Sequence, residues 1–294
     1  YGDDAGWGLK SRQISADGSQ ALGDEVLVND ESAGNQETPD VVGLTGGGYV
    51  VVWHAGNATK EIALRLFDAD MNPTTGTVQA NSFDASSQQA PNVDALPDNG
   101  FLVTWDSAGA DGSGWGYYGQ RFLDGVVKDG PELSLTTNFT QNQEQGHLAL
   151  KPDGSGVVVW RSNHADKKFH TANFQRLTSL SLKSGDETRA SAQNTFHAEN
   201  PRVAMSPDGW FTLVWAESDG DGTGVFSRSY MPTGASLTAE PVRVNQILEG
   251  PAERADVIML PGRRPAVVFQ SLIPGKPLWD VYLRILPPLA APSN

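Results

Sequence analysis

The chain has 294 residues, a formal net charge of −14 and no cysteine. The acidic balance argues against nucleic acid as a partner, because phosphate recognition depends on Lys and Arg, and the absence of cysteine excludes disulfides, cysteine-ligated zinc and thiol catalysis. No apolar run of about 18 residues is present, so the sequence predicts no membrane insertion. The 32 Gly and 18 Pro predict many turns between short strands, as all-β folds require.

The predicted elements follow one another as copies of a four-stranded unit. The N-terminal region holds two strands, at residues 8–15 and 24–29, which correspond to the third and fourth strands of a unit. The clearest complete copy comes later, with strands at 92–96, 101–105, 115–122 and 132–136, a turn at 97–100 and a variable loop at 106–114. The C-terminal region holds three strands, at 256–260, 266–270 and 281–286.

Two residue types mark the repeat along the whole chain. A Trp ends the second strand at Trp53, Trp105, Trp160 and Trp215, and Gln270 takes this slot in the last copy. An Arg lies in the third strand at Arg12, Arg65, Arg121, Arg176, Arg228 and Arg284. We expect the Trp side chains to pack between neighbouring sheets, and the Arg side chains to span neighbouring strands or to pair with a carboxylate.

The second strands are apolar almost without interruption, which is typical of strands covered on both faces. Four strands per unit, closed by glycine turns, predict a β-propeller of four-stranded blades. We expect one domain, residues 1–294, with units at about 35–82, 83–138, 139–193, 194–246 and 247–294, closed by residues 1–34. Five blades result if residues 24–29 complete the last sheet, and six if the natural chain continues upstream.

The pattern resembles repeats of large secreted bacterial proteins, including calcium-binding haemolysin-like and adhesin-like ones. Two segments carry the resemblance: Ala-Leu-Pro-Asp-Asn-Gly-Phe-Leu-Val-Thr-Trp at 95–105 and Asp-Gly-Ser-Gly-Trp-Gly-Tyr-Tyr-Gly-Gln-Arg-Phe at 111–122. The resemblance implies an extracellular repeat protein, secreted or at the cell surface. It carries no agreed activity and transfers no functional residue.

Acidic, glycine-rich loops after the second strand are the first candidate site. Carboxylates that alternate with glycine can surround Ca²⁺ with side-chain and main-chain oxygens. The candidate ligands are Asp106, Asp111, Glu217, Asp219 and Asp221. The competing interpretation is an ordinary polar turn, because no complete EF-hand loop is present.

Aromatic and histidine side chains of the loops form the second candidate site. Trp and Tyr can stack on sugar rings, and His can carry protons or bind metals. The third copy replaces the glycine-rich loop with a basic and histidine-bearing one. The candidate ligand-binding residues are Trp115, Tyr117, Tyr118, Asn163, His164 and His170.

These observations predict an extracellular binding module that recognises a glycan or a protein surface, with Ca²⁺ as the expected cofactor. A polysaccharide-active hydrolase or lyase is the alternative, because catalytic carboxylates could come from strands distant in sequence. A structural spacer within a larger surface protein is the second alternative. The sequence favours binding over catalysis, since it holds no recognisable catalytic motif.

Overall fold

The computed structural model describes residues 2–3, 6–31, 33–163, 169–192, 197–218, 222–246, 250–272, 275 and 277–291. Within this part of the chain, the secondary structure is almost entirely β, and a single 3₁₀ turn, Pro97–Asn99, is helical. None of the described helical structure has the length and apolarity needed to span a membrane. The predicted all-β fold is therefore confirmed.

The chain divides into two compact units, residues 1–110 with 118–133 and residues 111–117 with 134–294. The first unit contains β1 (Gly2–Asp3), β2 (Gly6–Trp7), β3 (Lys10–Ile14), β4 (Ala21–Leu27), β5 (Gln36–Gly43), β6 (Tyr49–Ala55), β7 (Glu61–Phe67), β8 (Val78–Gln79), β9 (Gln88–Ala95) and β10 (Phe101–Ala108). Strands β11 (Trp115–Phe122) and β12 (Leu133–Ser134) include residues of both units. The second unit contains β13 (Gln143–Leu150), β14 (Gly156–Asn163), β15 (His170–Leu177), β16 (Lys183–Arg189), β17 (Ala198–Met205), β18 (Phe211–Ser218), β19 (Thr223–Tyr230), β20 (Val242–Arg243), β21 (Ala252–Leu260), β22 (Arg264–Ser271) and β23 (Asp280–Ile285).

The strands form small sheets in chain order, as the repeat predicts. Four sheets have four strands: β5–β8, β9–β12, β13–β16 and β17–β20. The predicted turns between first and second strands are tight hairpins, with residues of positive φ such as Asp98, Gly154 and Gly209 at their tips. Glycine accepts these angles without strain, and Asn or Asp does so more readily than other residues.

The closing strand is not formed as expected. Residues 24–29 overlap β4, which pairs with β3 in a two-stranded sheet. The two strands form a local hairpin, closed by a turn in which Gly18 has a φ of 72°. The β21–β22–β23 sheet has three strands among the described residues. The number of blades and the predicted unit boundaries stay predictions.

The marker Trp side chains lie in the cores of the units. Trp53, Trp105, Trp160 and Trp215 are all at most 1% exposed, which confirms the expected packing role. In the last copy, Phe269 rather than Gln270 takes this slot. The marker Trp lies at the register shift between the first two strands, as Trp160 does between Val159 and Arg161, and Phe269 takes the same place between Val268 and Gln270. An apolar ring fits the buried slot, whereas Gln270 is half-buried and bonds to a carboxylate.

Three of the marker Arg side chains, those of Arg65, Arg228 and Arg284, connect neighbouring sheets within a unit. The Arg65 guanidinium donates to the Val28 carbonyl (2.8 Å) and the Thr75 carbonyl (2.9 Å). In the second unit, Arg228 donates to the Ala190 carbonyl (3.2 Å) and Arg284 to the Val244 carbonyl. The bonds to Val28, Ala190 and Val244 satisfy main-chain oxygens just beyond the fourth strands, which confirms an architectural role for these three arginines.

A bulge interrupts the first strand of every complete sheet. Within the second unit, the register shifts between Glu144 and His147 in β13 and between Glu199 and Arg202 in β17. The residue after the carboxylate has positive φ in both cases, 59° at Gln145 and 50° at Asn200. Because a bulge re-aims the side chains beside it, the carboxylate before each bulge leaves the regular alternation of the strand.

Candidate functional site

The candidate site lies in the second unit, where β13, β14, β15 and β17 bring charged side chains together. Glu144 lies on β13 and Glu199 on β17, each directly before a bulge. The bulges are themselves linked, because the Gln145 Oε1 atom accepts a 2.7 Å hydrogen bond from the Asn200 amide. This bond fixes the two first strands beside each other and so positions the two carboxylates.

Arg161 holds both carboxylates. Its Nη2 atom donates to Glu144 and its Nη1 atom donates to Glu199. Burial alone would lower the pKa of Arg161, but the hydrogen bonds and charges of the two glutamates raise it. Glu144 also accepts a 3.1 Å bond from the Asn142 amide group. The Glu144 side chain is 13% exposed and that of Glu199 is 30% exposed, so the pair is reachable from solvent.

Glu199 also contacts a pair of histidines. Its Oε1 atom lies 2.6 Å from Nδ1 of His170, the first residue of β15. The His170 and His197 rings meet edge to face, with centroids 4.6 Å apart. Burial alone would raise the pKa of Glu199, but the bond to His170 and the Arg161 charge lower it. Glu199 is therefore ionised in the folded protein.

The predicted ligand-binding residues are divided between this site and the protein interior. Asn163 lies opposite His170 in the β14–β15 ladder, and its Oδ1 atom is buried without a partner among the described residues. Trp115 is half-buried, and its amide donates to Asn142 (3.3 Å). His164 lies outside the described residues.

The two predicted tyrosines belong to the core. Tyr117 is fully buried, and its ring lies where a Cβ atom on Gly146 would come within 2.0 Å of it. Tyr118 packs against the apolar core of the first unit. The alternation of β11 explains both positions, because large aromatic side chains in a strand covered on both faces fill the space between sheets.

The predicted calcium ligands do not lie in one kind of loop. Asp106 is buried inside β10, and Glu217 is buried inside β18. The Glu217 Oε2 atom accepts a 2.6 Å hydrogen bond from the Trp215 indole, and burial raises the pKa of Glu217. The second strands run past the Trp by two or three residues, which sequence polarity did not indicate. Both residues are corrected from loop ligands to strand residues.

The other three calcium candidates remain in loops. Asp111 accepts a 2.8 Å bond from the Ser113 amide at Oδ1, and its Oδ2 atom is buried without a partner among the described residues. Asp219 and Asp221 lie outside the described residues. Calcium binding by these loops stays a prediction.

The sequence interpretation missed Glu144 and Glu199, although the repeat contains a signal for them. An acidic residue recurs at the second position of the first strand in four copies, at Glu37, Glu144, Glu199 and Glu253. Glu253 accepts a 3.0 Å bond from Gln270, whereas Glu199 meets Arg161 and His170. An alignment of the copies would identify the position, but the partners depend on side-chain packing.

Comparison with known proteins identifies no relative by sequence. No family model matches the chain, and no curated protein matches it. The resemblance to haemolysin-like and adhesin-like repeats is therefore unconfirmed.

Solved structures do share its fold. A Dyadobacter fermentans protein of unknown function aligns with a TM-score of 0.61 at 14% identity, covering 90% of this chain and 82% of that one. An α-L-arabinanase from Penicillium chrysogenum, complexed with arabinobiose, aligns with a TM-score of 0.57 at 14% identity, covering 84% and 80%. A thermostable family-43 glycoside hydrolase aligns with a TM-score of 0.52 at 12% identity, covering 88% and 95%. Together with the sheet order, these alignments confirm the β-propeller fold class.

Proposed function

We propose that this chain is a polysaccharide-active hydrolase whose two working carboxylates are Glu144 and Glu199. One observation carries the proposal: carboxylates from two neighbouring sheets converge on the single guanidinium of Arg161. Hydrolysis of a glycosidic bond needs two carboxyl groups on opposite sides of that bond. The cluster of charges around Arg161 supplies such a pair from residues that are 55 positions apart in the sequence.

The separation of the two carboxylates suits this chemistry. One guanidinium binds both carboxylates, so Glu144 and Glu199 are held close to each other. Carboxyl groups of glycosidases are about 5 to 5.5 Å apart in retaining enzymes and about 6.5 to 9.5 Å apart in inverting ones. The shared contact with Arg161 brings Glu144 and Glu199 near enough to each other to act on one glycosidic bond.

The environments of the two glutamates suggest different roles. Glu199 has a lowered pKa because His170 and Arg161 stabilise its charge, and an ionised carboxylate serves as nucleophile or as base. Glu144 is then the second carboxyl group of the pair. His170 orients Glu199 through the 2.6 Å bond, which is a positioning role.

The fold alignments supply the first substrates to try. The Penicillium chrysogenum enzyme is an arabinanase with arabinobiose bound, and the other aligned hydrolase belongs to glycoside hydrolase family 43. We propose a plant-type polysaccharide that contains arabinose as the substrate class. A polymer of this kind is met outside the cell, which agrees with the expected secreted or cell-surface location.

The test measures sugar release from arabinan, arabinoxylan and a panel of other polysaccharides. We expect one of them to be cleaved, and Glu144→Gln and Glu199→Gln each to lower the rate by about 100-fold to 10,000-fold, the usual contribution of an acid–base group. Glu253→Gln is the matched control, because Glu253 has the same repeat position but bonds to Gln270. Equal activity in all three variants would contradict the assignment.

A binding module is the second candidate function. It is favoured because Arg161 binds both carboxylates and His170 contacts one of them, which leaves a polar cluster suited to hydrogen bonding with sugar hydroxyls. In that case a glycan on an array would bind without being cleaved, and Glu199→Gln would weaken binding. Turnover of any polysaccharide distinguishes the hydrolase from this candidate.

A further inference from the structure

A group of three potential metal ligands includes Glu199 of the carboxylate pair. His170 and His197 each offer a ring nitrogen and Glu199 offers a carboxylate oxygen, and these three atoms lie within 4.8 Å of one another. His170 and Glu199 are half-buried, whereas His197 is exposed. The group is therefore anchored on β15 and β17 and open to solvent on one side.

The ligand types select a class of metal. Two imidazoles and one carboxylate form a common ligand set for Zn²⁺, which leaves a fourth position for water. Ca²⁺ and Mg²⁺ prefer oxygen ligands, so this group is unsuited to them. A tetrahedral ion needs ligands about 2.0 to 2.2 Å away, and modest side-chain rotation brings three atoms within 4.8 Å to that arrangement.

The surroundings of the group suit a divalent cation. Arg161 carries one positive charge, and Glu144 and Glu199 carry two negative charges between them, so the cluster has a net charge of −1 with neutral histidines. Arg161 binds Oε2 of Glu199, and Oε1 faces His170. By binding Oε2, Arg161 fixes the direction of Oε1, the oxygen that would bind the metal. Hydrogen-bond partners of metal-bound carboxylates orient their ligands in the same way.

We propose that His170, His197 and Glu199 form a binding site for a divalent first-row transition metal, with Zn²⁺ as its best-fitting ion. The metal takes the place of the proton shared by His170 Nδ1 and Glu199 Oε1 and releases it to solvent. Neither polysaccharide cleavage nor glycan binding is needed for this site to exist. A bound ion would occupy Glu199 and so would inhibit the proposed hydrolase reversibly.

The test measures metal binding directly. Titration of the metal-free protein with Co²⁺ should give the visible absorption bands of a tetrahedral ion, and Zn²⁺ should abolish them by competition at one equivalent. His197→Gln removes an exposed ligand. We expect it to weaken Zn²⁺ binding about 100-fold or more, because loss of a residue that only supports a metal ligand already costs up to about 100-fold. Glu253→Gln is the control and should bind as the parent does.

Two results would overturn the proposal: a parent protein without tetrahedral Co²⁺ bands, or a His197→Gln variant that binds Zn²⁺ as tightly as the parent. His170→Gln is a second variant, and circular dichroism verifies that each variant is folded. Catalysis does not enter these measurements. A failed hydrolase assay with positive Co²⁺ spectra would therefore reject the proposed function alone.

Discussion

His147, a half-buried residue with a buried ring nitrogen, shows how one side chain links the fold to pH. It lies on β13 opposite Val159, and its Nδ1 atom is buried without a partner in the described part of the chain. Burial, with a smaller effect of the Arg202 charge, lowers its pKa from 6.5 to about 3. The folded protein therefore holds this imidazole neutral at neutral pH.

The folded protein should lose stability in acid because of His147. Between pH 6.5 and pH 3 the unfolded chain binds this proton and the folded chain does not, so the free energy of unfolding falls as the pH falls through this window. Between pH 6.5 and pH 4, His147 should lower the free energy of unfolding by about 3 kcal/mol. Urea unfolding of the parent and of His147→Asn at several pH values measures it. Parallel pH profiles for the two proteins would contradict the prediction.

At the scale of the element, the second strands differ in how they satisfy their buried indoles. The Trp215 indole donates to Glu217 (2.6 Å), whereas the Trp160 indole nitrogen is buried without a partner among the described residues. Both rings are fully buried in the second unit. Trp160 and Trp215 are therefore equally buried, and they differ in whether the indole nitrogen has a hydrogen-bond acceptor among the described residues.

Replacing each Trp with Phe should separate packing from hydrogen bonding. Trp215→Phe leaves the buried Glu217 carboxyl without its donor, which should cost about 1 to 3 kcal/mol more than Trp160→Phe. Chemical unfolding of both variants measures the difference. If Trp160→Phe costs as much as Trp215→Phe, the indole bond contributes nothing beyond ring packing.

The strands and turns could be predicted from sequence, because their signals are local. Apolar runs and Pro-Asp-Gly turns depend only on residues that are close in the sequence. The regular spacing of Trp53, Trp105 and Trp160 then shows that these strands and turns repeat. The carboxylate site could be predicted only in part. His170 and Asn163 were named from an irregular loop, but the contact of Arg161 with two glutamates depends on how bulges turn side chains out of the alternation.

The strand ends were the least predictable part of each element. Asp106 and Glu217 follow a Trp and are polar, so they were expected in loops, yet each is enclosed within its strand. A buried polar residue is acceptable when it has a partner, and Glu217 has one in Trp215. Sequence polarity alone does not reveal such partners, which come from the same strand.

For the molecule as a whole, the net charge of −14 makes cation binding a testable property. We propose that the glycine-rich loops bind Ca²⁺ through Asp111, Asp219 and Asp221. A free Ca²⁺ concentration of about 100 times the dissociation constant would raise the free energy of unfolding by about 2.7 kcal/mol for each site. Thermal unfolding should then shift upward in Ca²⁺ relative to a chelator, and Mg²⁺ should substitute poorly.

The control for this measurement is Asp111→Asn, which keeps the shape of the side chain and removes its charge. We expect the calcium-dependent shift to shrink in this variant. Equal melting temperatures of the parent in millimolar Ca²⁺ and in chelator would identify the loops as ordinary polar turns.

The order of strands within the sheets also determines how such a protein can gain or lose a whole sheet during evolution. Every hydrogen-bonded pair of described strands joins two strands that follow each other in the chain. A complete sheet such as β13–β16 or β17–β20 is therefore encoded by one continuous segment. Duplication or deletion of that segment in a gene would leave the strand pairing of every other sheet intact, and only the faces between neighbouring sheets would need to adapt.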